Sequence, residues 1–354
     1  MFVFDAHLDL SLNALEWNRD LRAAVDTIRQ LEQGMEDLAG RGEGTVTFPE
    51  MRRGGVGFCV ATLIGGCMKP AGPVASWESP HQAWAMTQGQ LEWYRAMEEA
   101  GELTQIKSSQ DLENTFSIWK RDPDTSPIGY VLSLEGSDSL IDLGHLERRY
   151  DDGLRALGPA HYGAGRYALG HDRQGPLSPA GRDLLAEMDR LGIILDVTHL
   201  CEESFWQALD IYTGPVWASH HNCRALVEDP RQLSDAQLKA LAEKGGLIGV
   251  AFDAWMLVPG WVRGQATQSV SVSLSDVADH IDHICQLLGS SDSVMIGSDL
   301  DGGFGREQSP SDLDSIADMP KLSAELIDRG YSQPDVERIF HKNVLEFLGD
   351  ALPR

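Results

Sequence analysis

Eight short apolar runs, each bounded by glycine, proline or polar residues, alternate along the chain with segments of helical periodicity. The runs fall at residues 2–4, 56–63, 129–134, 153–157, 192–197, 215–219, 246–252 and 293–298. Each is mainly apolar instead of alternating strictly with polar residues, the pattern of strands covered on both faces in a parallel sheet. Helical patterns fit between them at 20–38, 80–100, 109–121, 178–191, 203–209, 234–243 and 275–288. Ser234 and Ser275 stand where helix N-caps belong. Strand and helix alternating eight times predict an α/β protein with a (β/α)8 TIM barrel, with irregular excursions at 162–177 and 254–267. A chain of 354 residues also allows two domains by length. No repeat, low-complexity tract or linker marks a boundary, so one barrel domain over 1–354 is expected, with an amphipathic segment at 333–348 packed outside the barrel.

Barrel chemistry is built at the C-terminal ends of strands. Five of the eight expected strand ends carry histidine or carboxylate: Asp5-Ala6-His7-Leu8-Asp9, Leu134-Glu135-Gly136, Asp196-Val197-Thr198-His199, Ala218-Ser219-His220-His221 and Gly297-Ser298-Asp299-Leu300-Asp301. Taken singly, each histidine reads as a hydrogen-bonded loop residue and each carboxylate as a cap or an ion-pair partner. Barrel closure brings all five ends to one mouth, and imidazole with carboxylate is the donor set of Zn²⁺ or Mn²⁺. The two-residue spacing of His7 and Asp9 points both side chains the same way from an extended segment. Two further histidines and one bridging acid would hold two metals about 3.5 to 4 Å apart, the spacing of two-metal hydrolysis. Glu135 is the natural bridge. Of the adjacent pair His220 and His221 only one can enter the mouth of an extended strand, and His220 is the expected ligand.

Other histidines serve as controls. His81, His145, His171 and His341 lie away from the expected strand ends, and His280 with His283 is expected on a solvated helix face. The five cysteines, Cys59, Cys67, Cys201, Cys223 and Cys285, form no CxxC pair and read as free thiols in a reducing compartment. Cys223, beside the histidines, is either a reactive thiol or a small buried side chain.

Composition narrows the partners. The 54 acidic and 29 basic side chains give a net charge of -25, which repels nucleic acid and anionic lipid. The longest mainly apolar run, 56–68, contains glycines and falls short of the ~20 residues of a membrane span. With no basic leader at Met1-Phe2-Val3-Phe4 and no lipid-anchor tail, a cytoplasmic location is expected, with neither nucleic-acid nor membrane partners.

A resemblance becomes explicit once these pieces are set in order: residues 5–10, Thr47 to Gly57, 134–136, Gly153 to His161, 195–199, Ser219 to Ala225, Asp229-Pro230-Arg231 and Gly297 to Gly302. The ordered set resembles the membrane dipeptidase (renal dipeptidase) family, metallopeptidases of the amidohydrolase superfamily. The resemblance implies a metal-dependent hydrolase with two Zn²⁺ per chain, His7, Asp9 and Glu135 binding one and Glu135, His199 and His220 the other. It implies that His161 contacts the substrate carbonyl, that Arg231 pairs with the substrate α-carboxylate and that Asp299 is the catalytic aspartate. A dipeptide is the implied small-molecule substrate, including one with a C-terminal D-residue, and a homodimer is an assembly common in the family.

Elementary chemistry agrees with these roles. Two Zn²⁺ ions acidify a bridging water and polarise the scissile carbonyl. Asp299 would carry the proton from that water to the leaving amine. His161 would stabilise the oxyanion, a contact worth ~10²–10³ in rate. Arg231 offers a planar fork for a free carboxylate, with Arg224 as a nearby competitor. His221 stands where many members have serine, and the loop Tyr162-Gly-Ala-Gly-Arg-Tyr167 departs from the family pattern, so substrate choice is left open. Two alternatives stand beside the dipeptidase: hydrolysis of N-acyl-D-amino acids on the same site, and a metal-binding barrel without catalysis.

Overall fold

In the computed structural model, residues 1–67, 76–264 and 270–354 are described. The distal ends of the excursion expected at 254–267 and of the apolar run at 56–68 therefore lie outside the described residues. Among the described residues nine strands run in chain order: β1 (Val3–Leu8), β2 (Val56–Ile64), β3 (Leu103–Gln105), β4 (Ile128–Glu135), β5 (Leu154–Gly158), β6 (Ile194–Asp196), β7 (Val216–Ala218), β8 (Leu247–Val250) and β9 (Val294–Ile296). All pairings among them are parallel, and the order β2-β1-β9-β8-β7-β6-β5-β4 closes through β4 onto β2. This is a closed eight-stranded (β/α)8 barrel, and its eight strands correspond to the eight apolar runs. β3 lies outside the ring and takes the lower half of the β4 edge, at 128–130, whose upper half pairs with β5.

The runs are apolar because both strand faces are covered: every residue of β1, β2 and β4 is buried. Inside the ring, Phe4, Phe58, Val60, Val131, Ile194, Trp217 and Met295 form one cluster. Val344, Leu348 and Leu352 belong to the same cluster, so the helix Asn343–Ala351 seals the floor of the barrel from below. Burying each such aliphatic side chain contributes roughly 1.5–3 kcal/mol. Glycine is required where the wall narrows. A Cβ on Gly249 or on Gly297 would lie 1.8 Å from the Ser219 carbonyl oxygen, which follows β7 directly.

Most helices stand where periodicity predicts them, including Pro80–Glu99, Ser109–Trp119 and Pro179–Leu191. Ser234 caps Asp235–Glu243 and shares a capping box with Gln237. The expected cap at Ser275 moves to Ser273, whose N–H donates to Asp276 at 2.8 Å. The expected helix at 20–38 shortens to Val25–Leu31. Among the described residues no helix is long and apolar enough to cross a membrane.

Candidate metal centre

β1 carries His7 within the strand, and Asp9 follows it as the residue preceding the helix Leu10–Leu15. Its φ of −86° and ψ of 53° are not those of an extended segment, yet its Oδ1 still comes within 3.8 Å of His7 Nε2. Glu135 ends β4, and His161, His199, His220 and Asp299 follow β5, β6, β7 and β9 within three residues. All seven are thus delivered to the C-terminal rim. His199 and Asp299 hold left-handed φ values of 68° and 58°, uncommon for side-chain-bearing residues, so the chain turns abruptly as it leaves the strand.

Two buried aspartates stitch those turns together. Asp5 Oδ1 accepts from Ser298 N at 2.8 Å and His7 N at 3.2 Å, joining the ends of β1 and β9. Asp196 Oδ1 accepts from Thr198 N at 3.0 Å and Ser219 N at 3.1 Å, doing the same for β6 and β7. Asp301, also at positive φ, accepts from Thr45 N at 2.8 Å and Val46 N at 3.0 Å, and Arg19 lies 3.3 Å away. That network pins the loop bearing Asp299.

The donors converge on Glu135. Its Oε1 lies 3.1 Å from His199 Nε2 and 3.5 Å from His220 Nε2, while Oε2 lies 3.6 Å from His7 Nε2. His199 and His220 face each other Nε2 to Nε2 at 3.1 Å. Ligand atoms 2.0–2.1 Å from a tetrahedral ion sit about 3.3 Å from one another, so these separations are those of a coordination shell. Three sets, His7 with Asp9 and Glu135, Glu135 with His199 and His220, and His7 with His220 and Asp299, each gather their donor atoms within 4.8 Å. Among the described residues His7 Nε2 is buried without a hydrogen-bond partner. A buried imidazole nitrogen left orphaned amid three carboxylates fits a divalent cation.

The electrostatics of the bare protein agree. Burial disfavours a charged His7, but Glu135, Asp9 and Asp299 overcome it and lift the ring to about 10. Burial, then Glu135, raises Asp9 to about 6. His199 and His220 are driven well below the usual histidine value by burial, with Arg231 adding to the effect at both. Their rings are therefore neutral, with lone pairs available. His220 Nδ1 lies 2.9 Å from Ser219 Oγ; a proton on that nitrogen leaves Nε2 as the donor atom.

The remaining expected residues line the same cavity. His161 and Arg231 are joined there by Tyr162, Asp253, Met256, Arg263 and Gly302, around the ligand cluster and Asp299. Arg231 is 1% exposed, donates to the His220 carbonyl at 2.9 Å and packs on the His221 ring. Among the described residues no carboxylate lies within 4.0 Å of its guanidinium. Arg224 instead pairs with Glu202 at 2.8 Å. His221 is buried behind Arg231 and does not line the cavity.

One control histidine differs from expectation. His280 is fully buried, accepting from Cys223 N at 3.0 Å and lying 3.1 Å from the Leu257 carbonyl, because it falls on the apolar stripe of its helix. His171 packs beside the site, its ring 4.8 Å from Tyr162 and 5.3 Å from His199. Cys223 is buried, and burial pushes its thiol upward, which leaves no reactive thiolate. The cavity residues at 253–263 escaped the sequence reading. They come from an irregular excursion, and Asp253, following β8, was the available signal.

Imidazoles and carboxylates gathered at the C-terminal mouth of a parallel (β/α)8 barrel define a metal-dependent hydrolase. The chain belongs to the membrane dipeptidase family, peptidase family M19, whose model matches residues 1–351. It is 30% identical over 258 residues to an uncharacterized protein of the pqqA 5' region of Klebsiella pneumoniae, covering 70% of this chain and 89% of that one. It is 32% identical to dipeptidase tcpJ of Claviceps purpurea over 63% of this chain, a match spanning about half, 52%, of the fungal protein. Among solved structures, a dipeptidase of family M19 superposes with a TM-score of 0.78 at 25% identity, covering 100% of this chain and 99% of that one. A Rhodobacter sphaeroides metallopeptidase, liganded with a phosphinate mimic of L-Ala-D-Ala, shares the fold, with a TM-score of 0.77 at 23% identity and 98% coverage of each chain.

Proposed function

We propose that the protein is a zinc-dependent dipeptidase that cleaves dipeptides bearing a free C-terminal carboxylate. The observation that carries the reading is Glu135 standing between two donor sets, with a buried, carboxylate-free Arg231 lining the same cavity. His7, Asp9 and Glu135 would hold one ion, and Glu135, His199 and His220 the other. Two zinc ions bound there supply an acidified water and polarisation of the scissile carbonyl.

The chain's own groups do the rest. Arg231 takes the substrate α-carboxylate in a bidentate contact and so fixes how deep the C-terminal residue sits. Burial keeps the His161 ring neutral, and its N–H donates to the carbonyl oxygen as negative charge develops there. An Asp299 carboxylate oxygen accepts a proton from the attacking water. The new C–O bond forms, the C–N bond breaks, and Asp299 returns the proton to the leaving amine nitrogen. His221 and Ser219 act behind this layer, one against Arg231 and one on His220.

The test is amino-acid release from L-L dipeptides, L-D dipeptides and N-acyl-D-amino acids by zinc-loaded protein, with a chelator-treated control. The L-D arm is suggested by the ligand of the Rhodobacter fold neighbour. Chelator-sensitive release from dipeptides is expected. Cleavage of the N-acyl compounds alone would move the assignment to an aminoacylase on the same metals, and a wholly inert panel would leave a metal-binding barrel without peptidase activity.

A further inference from the structure

The cavity holds a second cation with no part in the chemistry above. Arg263 lines it together with Arg231, but the two are placed differently. Arg231 is almost fully buried, whereas the Arg263 side chain is 42% exposed and stands at the rim. Arg263 is held there by a built anchor. Its guanidinium donates to Asp253 Oδ2 at 2.7 Å and lies 5.1 Å from the centre of the Trp255 ring. Asp253 is itself 2% exposed and fixed by the Trp255 indole N–H at 2.6 Å and by Gln308 Nε2 at 2.9 Å. A guanidinium carries five N–H donors, of which the Asp253 contact uses one.

Both arginines line the cavity with Tyr162. Burial pushes the Tyr162 phenol above its ordinary value, and the charges that most oppose this are Arg263 and then Arg231. Tyr162 and both arginines line this recess together with the carboxylates Asp9, Glu135, Asp253 and Asp299. In a chain of net charge -25, Arg231 and Arg263 are the guanidiniums this lining offers an entering anion, Arg263 with its Asp253 contact already made. One cation suffices for an α-carboxylate; a second, pre-positioned within the same recess, matches a second carboxylate.

We propose that the preferred substrates carry a carboxylate on the side chain of their C-terminal residue, with Arg231 taking the α-carboxylate and Arg263 the side-chain carboxylate. The proposal rests on the dipeptidase reading and adds to it the acidic class of C-terminal residue. Arg263 acts on specificity and not on the reacting bond.

The experiment compares kcat/KM of zinc-loaded protein for L-Ala-Asp and L-Ala-Asn, in both configurations of the C-terminal residue, before and after Arg263→Met and Arg263→Lys. The wild type is expected to favour the acidic residue at least about 10-fold, the discrimination that one charge-assisted hydrogen bond supplies. Arg263→Met should bring that ratio close to one, and Arg263→Lys should keep part of it. A merely structural arginine would move both substrates together and leave the ratio alone. A wild-type ratio near one, or a ratio unchanged in Arg263→Met, overturns the proposal while the dipeptidase reading stands. No cleavage of either dipeptide while others of the panel are cleaved overturns the proposal alone, and a wholly inert panel overturns both.

Discussion

Glu135 and His199 meet at 3.1 Å, oxygen to ring nitrogen, with the histidine held neutral by burial. A neutral donor and a buried carboxylate at that distance share a cation more readily than a proton, and the same carboxylate reaches His7 on its other side. Replacing Glu135 with Gln keeps the shape and removes the shared charge. The variant is expected to lose metal content and turnover together, by elemental analysis after dialysis and by steady-state rates. Full metal occupancy with undiminished turnover would remove Glu135 from the bridge.

Asp299 is expected to separate binding of metal from chemistry. Asp299→Asn should retain most of its metal while kcat falls about 10²–10⁴-fold, the range a positioned acid–base group contributes. A variant with wild-type kcat would rule out the proton-carrying role.

Arg231 is expected to read the free carboxylate. The wild type should prefer a dipeptide to its C-terminal amide by roughly 10²-fold, since two charge-assisted hydrogen bonds are involved. Arg231→Met should abolish most of that preference, measured as the ratio of kcat/KM values. If the ratio survives the substitution, another group holds the carboxylate.

Away from the metals, Glu32 gives a pH dependence with a definite sign. Burial alone would raise its pKa, but Arg19 and the Gly42 N–H, with Arg41, reverse this and hold it below the usual value. A carboxylate depressed in the folded state contributes stability above its unfolded pKa, near 4.3, and loses that contribution as pH falls through the folded value. In metal-free protein, Glu32→Gln should therefore cost stability at neutral pH, and the gap to wild type should close below about pH 4. Denaturant titrations at several pH values measure it; a gap that widens on acidification contradicts the assignment.

The barrel was legible because its strands are covered on both faces, which leaves near-continuous apolar runs at each of the eight ring positions. β3 was not, being three residues long and half covered. The helix Leu143–Asp151 also escaped: it is nine residues long with only Leu146 and Arg149 buried, although Leu143, Leu146 and Tyr150 hold a helical spacing. At the site, the candidate ligand residues stood out because histidine and carboxylate cluster at the strand ends, and the structure brings His7, Asp9, Glu135, His199, His220 and Asp299 together. Tyr162, Asp253 and Arg263 are of ordinary loop type and reach the cavity only through tertiary structure. His280 was misread because the acidic residues around it suggested a wet face, while its own position lies on the buried one.

The seam between β1 and β9 joins residues 293 apart in the chain, and the floor beneath is sealed by Leu348 and Leu352. During synthesis, then, β1 can pair with β2 early but keeps its other edge open until β9, at Val294–Ile296 of 354 residues, has been made. His7 and Asp9 are made first and Asp299 late, so a nascent chain carries an unfinished donor set. The full donor set is assembled only at ring closure, and before that moment the open edge of β1 is a surface through which a stalled chain would associate with its neighbours.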